Sequence, residues 1–131
     1  MHLIEARAGR PSIQRTDTFT GTVWADPVSA AGDDPTINSV LFTPRARTYW
    51  HRHEGGQLLT ATQGQGVVVD ETGQVIVLKE GRRVWTPAGQ AHWHGGGPDS
   101  LLGHTACSFG ATEWLEPVSD EDYERATRRI S

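Results

Sequence analysis

Fifteen glycines punctuate this chain of 131 residues so often that only short β-favouring runs fit between them. Residues 19–25 alternate as a strand should and stop at Asp26-Pro27, after which 29–35 are small and polar and read as a loop. Residues 38–43 form a strand closed by Pro44, and 47–53 a second closed by Glu54-Gly55-Gly56. Two further strands, 57–62 and 66–70, join through Gly64-Gln65, and Glu71-Thr72-Gly73 turns the chain into 74–78. Strands at 83–86, 91–94 and 101–109 complete a meander of hairpins. Only the tail is helical in pattern: Ser119 with Asp122 resembles a capping box, acidic residues fill the first turn, and a helix spans 120–128. The expected class is all-β, a sandwich or barrel with a short C-terminal helix.

Length leaves room for one core, so a single domain spans 1–131, with an N-terminal arm to about residue 17 and a helical tail over 119–131. A formal charge of -4 argues against nucleic acid, whose phosphates call for clustered Lys and Arg. The basic pairs Arg82-Arg83 and Arg128-Arg129 read as solvated surface. A lone cysteine, Cys107, cannot close an internal disulfide and reads as an inert thiol in a reducing cytosol. The N-terminus lacks the apolar stretch of a signal peptide, and no run approaches a membrane span, so a cytoplasmic location with no membrane partner is expected.

Chemistry concentrates in His51-Arg52-His53, Gln57 and His92. In a strand, residues two apart share a face, so His51 and His53 can point inward together. After the Gly55-Gly56 bend, an antiparallel return would carry Gln57 beside that pair, and His92 must arrive from a distant strand. A single strand histidine is ordinarily hydrogen-bonded core or surface. Three with an amide oxygen at these spacings point to a divalent metal instead.

His51-x-His53-x-x-x-Gln57 followed by Gly64, and Gly81 followed by Pro87-x-Gly89-x-x-His92, resemble the two cupin motifs. Gln57 stands where Glu is usual, and Gly96 replaces the customary final Asn. The resemblance implies a cupin barrel, that is, a double-stranded β-helix or jelly roll. It narrows over FTGTVWADP at 19–27, the block at 42–66, AHWHGG at 91–96 and EWLEPVSDEDY at 113–123. These segments are similar to small bacterial cupins that include manganese-dependent hydroxynitrile lyases. That likeness implies a metal set of His51, His53, Gln57 and His92, His104 as acid/base, His94 as a second pocket histidine, and a homo-oligomer, dimer or tetramer.

Three imidazoles and an amide leave a divalent ion its full charge, where a glutamate would cancel one unit. Anions should therefore bind it well, and the missing carboxylate weighs against oxygen activation. Manganese is the metal the resemblance implies; iron, zinc and nickel accept the same donors. Around the metal, Asn38, Val40 and Phe42 on one strand, Tyr49 in phase with His51, and Leu102 and Ser108 in phase with His104 are expected to line a substrate pocket bordered by Trp93. His94 shares the inward face of His92 unless the strand bends at Trp93. The expected activity on a small-molecule substrate is cleavage and formation of hydroxynitriles. An oxygenase or decarboxylase of small hydroxy or aromatic acids, and a non-catalytic small-molecule-binding cupin, are the alternatives.

Overall fold

A computed structural model describes residues 1–29 and 33–130, together with all their side chains except that of Arg129. The loop expected over 29–35 therefore lies partly outside the described residues, as does the second member of the Arg128-Arg129 pair. Strands follow one another in the order β1 (Ile13–Arg15), β2 (Phe19–Thr20), β3 (Val23–Pro27), β4 (Thr36–Phe42), β5 (Arg47–Thr48), β6 (His51–His53) and β7 (Gln57–Asp70). Then come β8 (Val75–Lys79), β9 (Arg83–Thr86), β10 (His92–Gly96), β11 (Leu102–Ser108) and β12 (Thr112–Trp114), before helix α1 (Asp120–Thr127).

All the pairings are antiparallel, and the path β1-β3-β4-β11-β7-β10-β5-β2 wraps into a nearly closed barrel whose edge strands, β1 and β2, are consecutive in the chain. One sheet holds β1, β3, β4, β11, β9 and the first part of β7; the other holds β2, β5, β6, β8, β10, β12 and the rest of β7. Residues 57–62 and 66–70 are thus one bent strand shared by both sheets, and no hairpin joins them. A register shift between Gly103 and His104, which face Gln63 and Ala61, skips Thr62 just before Gly64, where β7 passes from one sheet to the other. Gly64 has φ +71°, and a Cβ there would collide with the Leu101 carbonyl oxygen, so only glycine lets the two strands approach.

The run expected at 47–53 is divided at Tyr49-Trp50 into β5 and β6, and two short strands, β1 and β12, arise where none was expected. Each is three residues long, below the length at which alternation can be read. Between the sheets, Val23, Phe42, Leu59, Val68, Leu78 and Leu102 form the main core. A second cluster of Val67, Val69, Trp93, Val118, Tyr123 and Ala126 lies under α1.

The Ser119 side chain accepts from the Asp122 amide, as the capping-box pattern predicts. Buried Arg47 donates to the Val118 carbonyl at 2.8 Å and to Asp120 at 2.7 Å, and its guanidinium covers the Tyr123 ring. Tyr123 in turn donates its hydroxyl proton to the Gly96 carbonyl at 2.6 Å, so the helix is bolted to the strand that carries His92 and His94. Among the described residues no helix is long and apolar enough to cross a membrane.

Candidate metal centre

His51 and His53 point inward from β6, as their spacing of two requires, and His92 is the direct partner of His51 on β10. The three imidazoles are buried, and one ligand nitrogen from each lies within 4.8 Å of the others. Gln57 comes from the facing sheet. It starts the part of β7 that pairs with β9 and β11, so it reaches the cluster across the barrel and not by the antiparallel return expected from the sequence. The Gly55-Gly56 bend carries the chain from one sheet to the other instead of reversing it within one.

Hydrogen bonds orient each ligand. Tyr49 and Gln90 present backbone carbonyls to Nδ1 of His51 at 2.8 Å and of His92 at 3.2 Å, and Thr112 Oγ1 lies 2.9 Å from Nδ1 of His53. Donation from Nδ1 of His51 leaves its Nε2 with a lone pair, while Nε2 of His53 is buried without a hydrogen-bond partner. His92 has an acceptor at both ring nitrogens, since its Nε2 lies 2.9 Å from Gln57 Oε1. A neutral imidazole has one N–H, so either tautomer leaves two lone pairs face to face. A cation held by Nε2 and Oε1 together removes that conflict. The donor set therefore fits a divalent metal on its own chemistry, with His51, His53, His92 and Gln57 as the ligands.

Burial pushes His53 down to about 4, helped by the neighbouring His92, and pushes His92 down to about 4 as well. His51 is held well below its ordinary value by burial and then by His92. All three are neutral at pH 7, the form that binds a metal.

Beside the cluster, His94 on β10 and His104 on β11 meet with Nδ1 and Nε2 3.0 Å apart. β10 runs straight through Trp93, so His94 does share the face of His92. Both rings are buried; burial holds His104 at about 4 and His94 well below its usual range. The outer nitrogens, His94 Nε2 and His104 Nδ1, are buried without partners. One shared N–H links the rings, so one outer nitrogen carries a proton while the other carries a lone pair. Such a pair can take a proton at one end and release one at the other.

A cavity of about 240 Å³ joins the two histidine groups. Asn38, Val40, Phe42 and Ser108 line it, as the strand phase predicted. Three expected pocket residues are placed elsewhere. Leu102 is fully buried in the main core, and Trp93 faces the second core against Tyr123, with ring centroids 6.0 Å apart. Tyr49 lies in the break between β5 and β6 and serves His51 through its carbonyl. Lining residues the sequence did not single out include Arg15, Phe19, Thr112 and Trp114, the last packed 4.7 Å from the His51 ring. Their signal was weak because they belong to β1, β2 and β12, each only two or three residues long.

Residues 38–98 match the family model of the cupin domain. Over 115 residues the chain is 42% identical to (R)-mandelonitrile lyase from Granulicella tundricola, covering 83% of this chain and 88% of that one. This chain belongs to the cupin family. A cupin-like protein from Thermotoga maritima superposes on it with a TM-score of 0.84, at 36% identity over 88% of this chain and 92% of that one. The polyketide cyclase RemF from Streptomyces resistomycificus superposes with a TM-score of 0.72 at 18% identity, over 95% of this chain and 92% of that one, a likeness of fold alone.

Within this cupin the amide of Gln57 is aimed by Ser108, whose hydroxyl accepts from Gln57 Nε2 at 3.0 Å and so turns Oε1 toward the histidines. Ser108→Ala removes that acceptor and frees the amide to rotate. Metal affinity is expected to fall about tenfold, the usual cost of losing a partner that orients a ligand, with the fold intact. Competition with a fluorescent chelator measures it; an unchanged dissociation constant would show that Ser108 does not position Gln57.

Proposed function

We propose that this cupin is a metal-dependent hydroxynitrile lyase that cleaves and forms cyanohydrins such as mandelonitrile, with manganese as its metal. The observation that carries the reading is the adjacency of a neutral His51, His53, Gln57, His92 donor set to the buried His94–His104 pair in one cavity. The 42% identity to a mandelonitrile lyase supports it.

When bound, the metal supplies a Lewis acid of undiminished +2 charge to polarise a carbonyl oxygen or hold a developing anion. In the cleavage direction, Nδ1 of His104, the lone-pair end of the pair when Nε2 of His104 donates to His94, accepts the hydroxyl proton of the cyanohydrin. The carbon–cyanide bond then breaks, its electrons leave with cyanide, and the alcohol carbon becomes a carbonyl carbon. The proton held on His104 passes to cyanide to give hydrogen cyanide, so the imidazoles end as they began. Burial keeps both rings in the neutral form, so a lone pair is available to take the proton at neutral pH. Phe19, Phe42 and Trp114 form an aromatic wall suited to an aryl ring. A neutral amide where an oxygen-activating iron site would more often hold a carboxylate argues against an oxygenase.

Manganese-loaded protein is expected to release cyanide from mandelonitrile and to form mandelonitrile from benzaldehyde and cyanide without consuming oxygen. Absence of both reactions refutes the lyase reading; oxygen uptake with hydroxy or aromatic acids would replace it with an oxygenase.

A further inference from the structure

Among the described residues the cavity walls carry no carboxylate, and of those lining it only Arg15 bears a permanent charge. Arg15 ends β1, the edge strand, opposite Val23, whose side chain is wholly buried. Paired residues share a face of the sheet, so Arg15 is directed inward at the seam between β1 and β2. Its guanidinium lies 5.4 Å from the centroid of the Phe19 ring, which holds it in place. Among the described residues no acidic side chain forms an ion pair with it. Phe19 continues through Phe42 and Trp114, at 6.3 and 5.6 Å between centroids, into the aromatic wall beside His51. The cavity thus has a metal-ligand cluster on one side, an aromatic wall, and an unpaired guanidinium at the seam.

We propose that Arg15 recognises a carboxylate, and that the physiological substrate is an aromatic aldehyde or cyanohydrin carrying an acid group away from the reacting carbon. The inference rests on reading this cavity as the substrate site of a metal-dependent lyase. A guanidinium binds a carboxylate through two parallel hydrogen bonds, and with no acid in the walls nothing competes for it. A neutral substrate such as mandelonitrile leaves that charge unused. An inward charge on an edge strand also discourages edge-to-edge pairing, and that role makes no demand on the ligand.

The test titrates 4-(hydroxymethyl)benzoate and benzyl alcohol into metal-loaded protein by calorimetry, using wild type, Arg15→Gln and Arg15→Lys. Wild type is expected to prefer the carboxylate by about tenfold, the worth of one charged hydrogen-bonded contact. Arg15→Gln is expected to bring that preference below about twofold, and Arg15→Lys to keep part of it, with benzyl alcohol binding alike in all three. A preference that survives in Arg15→Gln overturns the proposal, because the carboxylate then binds elsewhere. Equal binding of the two ligands to wild type, or binding of neither, overturns it as well. Protein with an Arg15-dependent preference that releases no cyanide refutes the lyase reading, and with it the aldehyde or cyanohydrin as substrate, while the carboxylate site at Arg15 stands. Protein that cleaves mandelonitrile without the preference refutes the Arg15 proposal alone.

Discussion

Replacing His104 by glutamine is expected to lower kcat for the proposed mandelonitrile cleavage by roughly 10²–10⁴-fold, the contribution of a positioned acid/base, with metal content expected to stay at the wild-type level. Glutamine is chosen over alanine because His104 is 1% exposed and packs against Phe42 at 5.2 Å, so truncation would open a hole in the core. An amide can hold a hydrogen bond to His94 but cannot accept and return a proton near neutral pH. His94→Gln is expected to fall in parallel, since the two rings share one proton through their 3.0 Å contact, and the double variant to be little worse than either single. Full activity in His104→Gln would remove the pair from the mechanism.

Acid is expected to unfold the metal-free protein well before ordinary carboxylate titration would. His53, His92 and His104 are each held at about 4 against an ordinary 6.5, chiefly by burial. A depressed pKa means that the unfolded chain binds protons first as the pH drops. Stability is therefore complete above 6.5, declines between 6.5 and 4, and is lost in full below that window. A shift of this size corresponds to about 3 kcal/mol per imidazole. Three such groups rival the 5–15 kcal/mol that holds a small domain together. Bound metal opposes this loss, because protons and cation compete for the same nitrogens. Urea midpoints at pH 7.5, 6 and 5, with and without metal, measure the effect. A midpoint for the metal-free protein that is flat across that range would contradict it.

The barrel and the three clustered histidines were legible in the sequence because they depend on local spacing. Glycine-bounded runs marked the long strands, a spacing of two placed His51 and His53 on one face, and the Gly81 to His92 segment delivered the third imidazole. What the sequence concealed depends on long-range pairing. Gln57 reaches the cluster from the opposite sheet because β7 bends at Gly64 and serves both sheets, and a bend of that kind looks like a hairpin in the sequence. Phase assigns Tyr49 and Leu102 to the pocket, and its place beside His92 and His94 assigns Trp93 to the pocket border. Tyr49 falls in a strand break, Leu102 fills the main core, and Trp93 alternates onto the face covered by α1, whose docking through Arg47 and Tyr123 has no local signature. Arg15 and Thr112 escaped notice because strands of three residues leave no readable period.

Elemental analysis of purified protein, beside His53→Ala, tests the metal centre most directly. The variant is worth comparing because His53 supplies an inward nitrogen from β6 and lies outside both hydrophobic clusters. Wild type is expected to hold about one divalent ion per chain, and His53→Ala, checked for folding by circular dichroism, less than about a tenth of that. Equal metal content in the two proteins would contradict the account.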